Sequence, residues 1–343
     1  MQWRFAFALE RYVGQVLSID TSKEPDFSGW LRDAAGVAAQ LGGLCGRMGA
    51  KRSLVFLSRF ACKPVSFFKW FRFLARFSRR HRLGSPNDDL LRKKAYKFFA
   101  RGLPGGRGFD LLADHFTLAA ATLPRDRLEA TWHGRSMEIG RAAGKRDAYT
   151  LTMRLAVHSA ANHEGAFTIK LTRQSDRLDL VKLSFILYKL PAGHTAAVGG
   201  IQGNKRQDSK RAVIDATRDM GGLRPKDAVL LVMEGIALSG GADHFLGVSN
   251  ATHTINFRVS KNRLRKHADM DEYWIDRGGR AGGEFGFVIP ARNGQIAQLS
   301  NRRDIHKREF LEMGRTLFTP QPLQAGPGAT VPSASLYWRE GEA

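Results

Sequence analysis

A change in hydrophobic periodicity constrains the fold of this chain more than any other feature. Between residues 149 and 157 apolar residues alternate with threonine, arginine and alanine, and this period of two predicts a half-buried strand. The same period recurs over residues 167–171 and 178–188, and a compact run of small residues occupies 195–202. Residues 162–165 have turn composition. The segment therefore predicts an antiparallel meander.

The period changes again after this meander. Ser209 is placed to cap a helix over residues 210–220, and Pro225 lies at the start of a second helix over 226–238. A short buried strand is expected at 244–249, followed by a polar helix at 262–276. The order predicts an α/β (α+β) fold, with an antiparallel-to-mixed sheet and flanking helices.

Three regions are expected along the chain. Residues 1–108 form a basic helical N-terminal region, with glycines interrupting the helices between 42 and 46, and the Pro-Gly-Gly turn at 104–106 marks its end. Residues 109–318 form the α/β core. Residues 319–343 are rich in proline, serine, glycine and alanine, a composition that favours a disordered tail.

Positive charge is concentrated in the N-terminal region. The chain has 54 Lys+Arg and 32 Asp+Glu, a net charge of +22. Residues 47–107 hold 17 Lys+Arg against Asp88 and Asp89, which gives +15 in that segment. Charge of this size indicates an anionic partner: a membrane surface, a phosphate-bearing ligand or nucleic acid.

One helix shows this charge in amphipathic form. Wound at 3.6 residues per turn, residues 66–80 place aromatic and aliphatic side chains on one face and a row of cations on the other. The pattern is typical of a helix lying in a membrane interface, and also of a helix packing its apolar face on the protein's own core. RNA ranks lower because no recognisable RNA-binding motif is present. The candidate anion-binding residues are Lys69, Arg72, Arg76, Arg79 and Arg80.

Other features indicate a cytoplasmic protein, with a peripheral position on the inner membrane as the alternative. Cys45 and Cys62 suggest reduced thiols rather than a disulfide scaffold. Arg4 and Glu10 interrupt the apolar N-terminus, which therefore does not resemble a signal peptide. The uncharged run at 34–46 is shorter than the roughly 20 apolar residues that span a bilayer.

Several ordered motifs carry a family resemblance over about residues 55–318. They are the glycine-rich 199–203, residues 222–226, residues 246–253, the acidic-aromatic 269–274, Gly278-Gly279 and residues 287–290. In this order and spacing they resemble the VirK/YbjX family of bacterial proteins. The resemblance implies a role in virulence, outer-envelope integrity or resistance to cationic antimicrobial peptides. It implies no particular reaction.

The predicted order of elements is also similar to a GNAT-like acyltransferase fold, which suggests candidate chemistry. The loop at 200–209 would present backbone N–H groups and positive charge to an acyl-CoA or aminoacyl-tRNA donor; alternatively it is a turn that needs positive φ. The candidate cofactor-binding residues are Gly200, Gln202, Gly203, Lys205 and Arg206.

Residues beyond the buried strand could complete such a site. His253 is a candidate general base and Asn250 a candidate oxyanion or substrate donor. The alternative is that Asn250 caps the following turn and His253 is a hydrogen-bonded structural residue. Asp269, Asp271 and Glu272 lie near His267, but on a helix residues 267 and 271 share a face and 269 does not. That spacing supports at most a two-ligand site, so a solvated acidic face is preferred and no metal is predicted. His115 and Glu164 are polar candidates without a visible partner.

Overall fold

A computed structural model describes residues 27–156, 162–204, 209–254, 269–291 and 301–318. The helices, with a single 3₁₀ turn at Ala95–Lys97, are α1 (Phe27–Arg47), α2 (Ala50–Cys62), α3 (Pro64–His81), α4 (Asp88–Leu91), α5 (Arg107–Thr122), α6 (Arg125–Trp132), α7 (Ser209–Asp219), α8 (Pro225–Ser239), α9 (Met270–Ile275) and α10 (Arg302–Leu317).

Eight strands form one sheet in the order β1-β2-β3-β4-β5-β6-β8-β7. They are β1 (Met137–Ala143), β2 (Ala148–Leu155), β3 (Phe167–Arg173), β4 (Leu178–Leu190), β5 (Gly193–Gly203), β6 (His244–Val248), β7 (Arg280–Gly282) and β8 (Gly286–Pro290). Strands β2 to β5 form the predicted antiparallel meander, and β1, which was not predicted, pairs with β2 at its edge. The sheet is mixed because β5 and β6 pair in parallel, through the crossover that contains α7 and α8.

The centre of the sheet is buried on both sides. Consecutive residues of β4 and β5 are buried without the in-out alternation of a half-exposed strand, since α8 packs across β3 to β6 and α5 packs on β4. Helix α10 in turn covers α8. Helices α5, α8 and α10 together therefore shield both faces of the central strands from water.

The basic N-terminal region belongs to the same hydrophobic core. On α3 the apolar face predicted from the sequence is buried, and its members pack among the aromatic residues of α2, α5 and α6. Phe99 contacts Phe285 next to β8, with ring centroids 4.7 Å apart. One cluster of buried residues therefore extends from α1 to α10.

Two local expectations differ from the structure. Helix α1 continues through Gly42 and Gly43, because neighbouring turns supply hydrogen bonds that offset the low helix propensity of glycine. Strand β5 extends to Gly203, so Gly200 and Gly203 lie in extended strand rather than in a loop before α7. The expected tail at 319–343 lies outside the described residues.

Candidate functional site

A polar cluster forms where β5 and β6 diverge. The two parallel strands share only the pairs Ala197–Leu246 and Val198–Gly247. Beyond them, Gln202 Nε2 of β5 donates to both carboxylate oxygens of Glu164, at 3.0 and 2.8 Å. The Nε2 atom of His253 lies 3.7 Å from Glu164 Oε1, and both of these side chains are 14% exposed. The structure thus joins His253 and Gln202 through Glu164.

Gly199 and Gly200 allow the turn that carries Glu164 to reach β5. A Cβ atom on Gly199 would lie 1.9 Å from the backbone oxygen of Glu164, and one on Gly200 would lie 2.4 Å from its Oε2 atom. Neither glycine has a positive φ, so neither supplies the turn considered as the alternative for residues 200–209, of which 205–208 lie outside the described residues. Gly199 is the extra residue of a β-bulge, because Ser184 pairs with Gly200 and Phe185 with Val198. Glycine is required here for close approach.

Lys93 also fixes the turn that carries Glu164. Its Nζ atom donates to the backbone oxygens of Asn162, at 2.9 Å, and Gly165, at 2.8 Å, on either side of Glu164. The residue is 1% exposed, and this burial lowers the pKa of its amine to about 7. The segment after Lys93 continues the contact, since Phe99 N donates to His163 O at 2.8 Å. The basic region therefore helps to build the site.

His253 is reached by the same segment. Ala100 and His253 form an isolated antiparallel bridge, and Arg101 N donates to Thr252 O at 2.7 Å. The backbone N–H of His253 donates to Ser249 O at 2.9 Å, which closes the turn after β6. Backbone hydrogen bonds from two sides thus fix the position of the His253 Cα atom.

Asn250 belongs to a different network. Its Nδ2 atom donates to Asp269 Oδ1 at 2.6 Å, and its Oδ1 atom accepts from Met270 N at 2.9 Å. Asp269 caps α9 by accepting from the N–H groups of Asp271 and Glu272. These contacts join Asn250 to the start of α9 rather than to the turn directly after it, and they explain the acidic group as a helix start. Within the described part of the chain no group of three or more metal-binding residues occurs, and His267 lies outside it.

His115 has a structural partner that the sequence did not reveal. The Nδ1 atom of His115 accepts from the backbone N–H of Leu187 at 2.9 Å. Leu187 is in the part of β4 that extends beyond the pairing of β4 with β3. Burial lowers the pKa of His115 to about 3, with a contribution from the charge of Lys93. The imidazole is therefore neutral, as an acceptor at Nδ1 must be. His115 satisfies a buried amide of the sheet.

The basic face of α3 is partly neutralised within the protein. Asp33 of α1, with a side chain 3% exposed, accepts from Arg72 Nε and Arg76 Nε at 2.8 Å each and from Arg79 Nη2 at 2.8 Å. Burial alone would raise the pKa of Asp33, but these hydrogen bonds outweigh it and lower that pKa. Three of the five predicted anion-binding residues thus anchor α1 to α3, whereas Lys69 and Arg80 are exposed.

A surface that the sequence analysis did not single out lies on α2. Leu54 is 71% exposed, and Val55 and Leu57 are exposed beside it, with Val65 at the start of α3. Lys51, Arg52 and Arg59 on α2 are exposed too. We call Leu54, Val55, Leu57, Val65 and the flanking cations the α2 surface. It combines exposed apolar and cationic side chains on α2 and at the start of α3.

Comparisons place the chain among known proteins. Residues 47–311 match the family described as "Protein of unknown function (DUF535)". The chain belongs to this family. It is also similar to the "Uncharacterized protein YbjX" of Escherichia coli (strain K12), with 24% identity over 266 residues, which cover 75% of this chain and 78% of that protein. These matches confirm the VirK/YbjX resemblance. No solved structure matches.

The family match includes both candidate regions. The α2 surface, Lys93, Glu164, Gln202 and His253 all fall within residues 47–311. Lys205 and Arg206 lie outside the described residues, so their predicted contact with a donor stays a prediction. None of the described helices has the length and apolarity needed to cross a bilayer.

Sequence reasoning missed Lys93 and Asp33. Lys93 lies between Arg92 and Lys94, in a run whose composition is that of a solvated surface. Asp33 is separated from its partners by 39 to 46 residues, and no local spacing connects a lone aspartate with a helix so far along the chain. The sequence offered one signal for Asp33. Acidic residues are scarce near the basic helix, so each of them has many possible arginine and lysine partners.

Proposed function

We propose that this chain associates peripherally with anionic bacterial membranes through the α2 surface and supports the integrity of the cell envelope. The observation that carries the proposal is the exposure of Leu54, Val55 and Leu57 beside cations without a carboxylate partner in the described part of the chain. Among the described residues, no carboxylate lies within salt-bridge distance of Lys51 or Arg52. Apolar side chains in the interface and cations at the headgroups are the two contributions that hold a peripheral helix.

This surface replaces the one that sequence periodicity favoured. The apolar face of α3 is buried, which leaves it no access to lipid, whereas Lys69 and Arg80 of the same helix remain exposed and can add long-range attraction. Each cation near an anionic leaflet contributes about 1 kcal/mol, and each leucine taken fully out of water about 1.5–3 kcal/mol. Together these contributions suffice for reversible binding.

Vesicle flotation tests the proposal. We expect binding to vesicles of phosphatidylcholine with phosphatidylglycerol, weaker binding as salt is raised, and little binding to phosphatidylcholine alone. Leu54→Glu/Leu57→Glu should weaken binding about tenfold or more. The matched control is Ile214→Glu/Ile275→Glu, which makes the same chemical change at two exposed isoleucines outside the basic region. Equal binding by both double variants would refute the assignment to α2.

A second candidate function is acyl or aminoacyl transfer, favoured by the polar cluster at the divergence of β5 and β6. In this proposal His253 is the general base for an amine nucleophile, Glu164 stabilises the imidazolium that forms, and Gln202 orients Glu164. The donor would be an acyl-CoA or an aminoacyl-tRNA, whose phosphates suit a basic protein. The acceptor would be an envelope component or a peptide.

Thermal stabilisation by candidate donors tests this second function. A donor that binds the folded chain raises its melting temperature by mass action. His253→Gln and Glu164→Gln should keep donor binding while abolishing transfer, since both replacements preserve shape. The first removes the proton acceptor, and the second removes the negative charge that stabilises the imidazolium. A chain that is stabilised by no CoA thioester and no aminoacyl-tRNA would count against the transferase.

A further inference from the structure

Two adjoining clefts lie beside α2. One has a volume of about 370 Å³ and the other about 490 Å³, and Arg59 lines both. Each lies within the size range of about 300–1,000 Å³ that is typical of ligand sites. Neither is lined by a residue of the polar cluster around Glu164, so the clefts are a separate candidate site.

The smaller cleft is rich in cations. Its basic lining residues are Lys51, Arg52, Arg59, Arg92 and Lys94, and no acidic residue lines either cleft. Arg92 is held by Asp89 and by the backbone oxygen of Asp88, so it is fixed in place. Within the described residues Arg52 and Arg59 have no carboxylate partner. Two arginines on one helix, seven residues apart, thus line this cleft without a carboxylate partner among the described residues.

The remaining lining of this cleft is apolar. Met48, Val55, Phe56 and Phe67 complete it. The Phe56 and Phe67 rings meet edge to face with centroids 5.6 Å apart, and Phe67 meets Tyr96 of the second cleft at 6.1 Å. A rigid aromatic floor beneath a rim of cations is complementary to a molecule with an anionic head and an apolar stem.

We propose that this cleft binds the phosphate headgroup of an anionic phospholipid, with Arg52 and Arg59 on the phosphate and the first methylenes of the lipid on the Phe56–Phe67 floor. The inference rests on the proposed membrane association and names the ligand of that same surface. Val55 connects the two, since it lines the cleft and is also exposed on the α2 surface beside Leu54. Phe56 and Phe67 are 5% and 2% exposed, so their faces are not open to stacking bases, and the exposed Val55 beside them favours lipid over nucleic acid.

Calorimetric titration with a short-chain phosphatidic acid below its micellar concentration tests the cleft without a membrane. We expect saturable binding that Arg52→Gln/Arg59→Gln weakens about tenfold or more, because each arginine removed takes a charge-assisted hydrogen bond with it. The matched control is Arg211→Gln/Arg218→Gln on α7, which removes two exposed arginines with the same spacing and leaves the net charge equal. The control should bind like the unaltered chain.

Four outcomes would overturn the inference. The first is equal weakening by both double variants, which indicates diffuse attraction, and the second is binding of inorganic phosphate as tight as that of the lipid. The third is tighter binding of a short RNA that depends on the same two arginines. The fourth is vesicle binding without any short-chain lipid binding. The last result would leave the proposed membrane association standing. Short-chain lipid binding without vesicle binding would instead support the headgroup cleft and refute peripheral association.

Discussion

Replacing one glycine where α8 crosses α10 should destabilise the protein, although alanine is the better helix former. A Cβ atom on Gly235 would lie 2.2 Å from the backbone oxygen of Leu311 and 2.9 Å from the Cα atom of Gly314. The reciprocal contact is as close, since a Cβ atom on Gly314 would lie 2.2 Å from Val232 O. Both partners are helix backbone, so no side chain can rotate away.

The magnitude follows from these distances. A carbon atom approaches a carbonyl oxygen to about 3.3 Å, so Gly235→Ala must move the helices apart by about 1 Å. Overpacking of this kind costs about 3 kcal/mol when the neighbours cannot yield, and the helix propensity of alanine returns about 1 kcal/mol. We therefore expect the free energy of unfolding to fall by about 2 kcal/mol.

Urea unfolding followed by circular dichroism measures this change. The matched control is Gly42→Ala in α1, where no atom lies within 4 Å of the added methyl group and the residue is exposed. That variant should gain up to about 1 kcal/mol from propensity alone. The two substitutions are chemically identical, so they should have opposite signs. A neutral or stabilising Gly235→Ala would show that the described crossing of α8 and α10 is wrong.

Three further outcomes are expected. Asp33→Asn should lower the free energy of unfolding by about 1–2 kcal/mol; the loss is limited because the arginine partners of Asp33 are half exposed and regain water. The same change should strengthen vesicle binding at low salt. Unchanged stability and binding would refute the role of Asp33 in anchoring α1 to α3. Asp219→Ala should cost about 2–4 kcal/mol, since buried Tyr149 donates to Asp219 at 2.9 Å. Tyr149→Phe should cost about 1 kcal/mol, and a double-mutant cycle that shows additivity would contradict this bond. The pKa of Lys93 is about 7 in the fold and 10.5 in the unfolded chain. Between these pH values the unfolded state holds the Lys93 proton and the folded state has lost it, so the free energy of unfolding should rise with pH by up to about 1.4 kcal/mol per unit. Lys93→Met should remove that slope, and equal slopes in titrations from pH 7 to 10 would refute it.

Periodicity determined the local elements. Alternation over 149–202 predicted β2 to β5, and Pro225 with Gly240 bounded α8 within a residue or two, because side-chain burial and backbone capping act over a few residues. The amphipathic pattern of α3 correctly separated a buried face from a basic one. The same pattern could not say what buries the apolar face, since membrane and core favour the same side chains.

Tertiary structure decided which polar residues meet. Glu164 and Gln202 are 38 residues apart, and Lys93 reaches Gly165 across 72 residues, so their contacts depend on the bulge at Gly199 and on the packing of the basic region against the sheet. The sequence located His253 and Gln202 individually but placed Asn250 with them, although the Asn250 side chain bonds to Asp269 and Met270 at the start of α9. Local composition limits which elements form, whereas the pairing of β5 with β6 fixes which of their ends lie together, because that pairing is a long-range event that no short window of sequence contains.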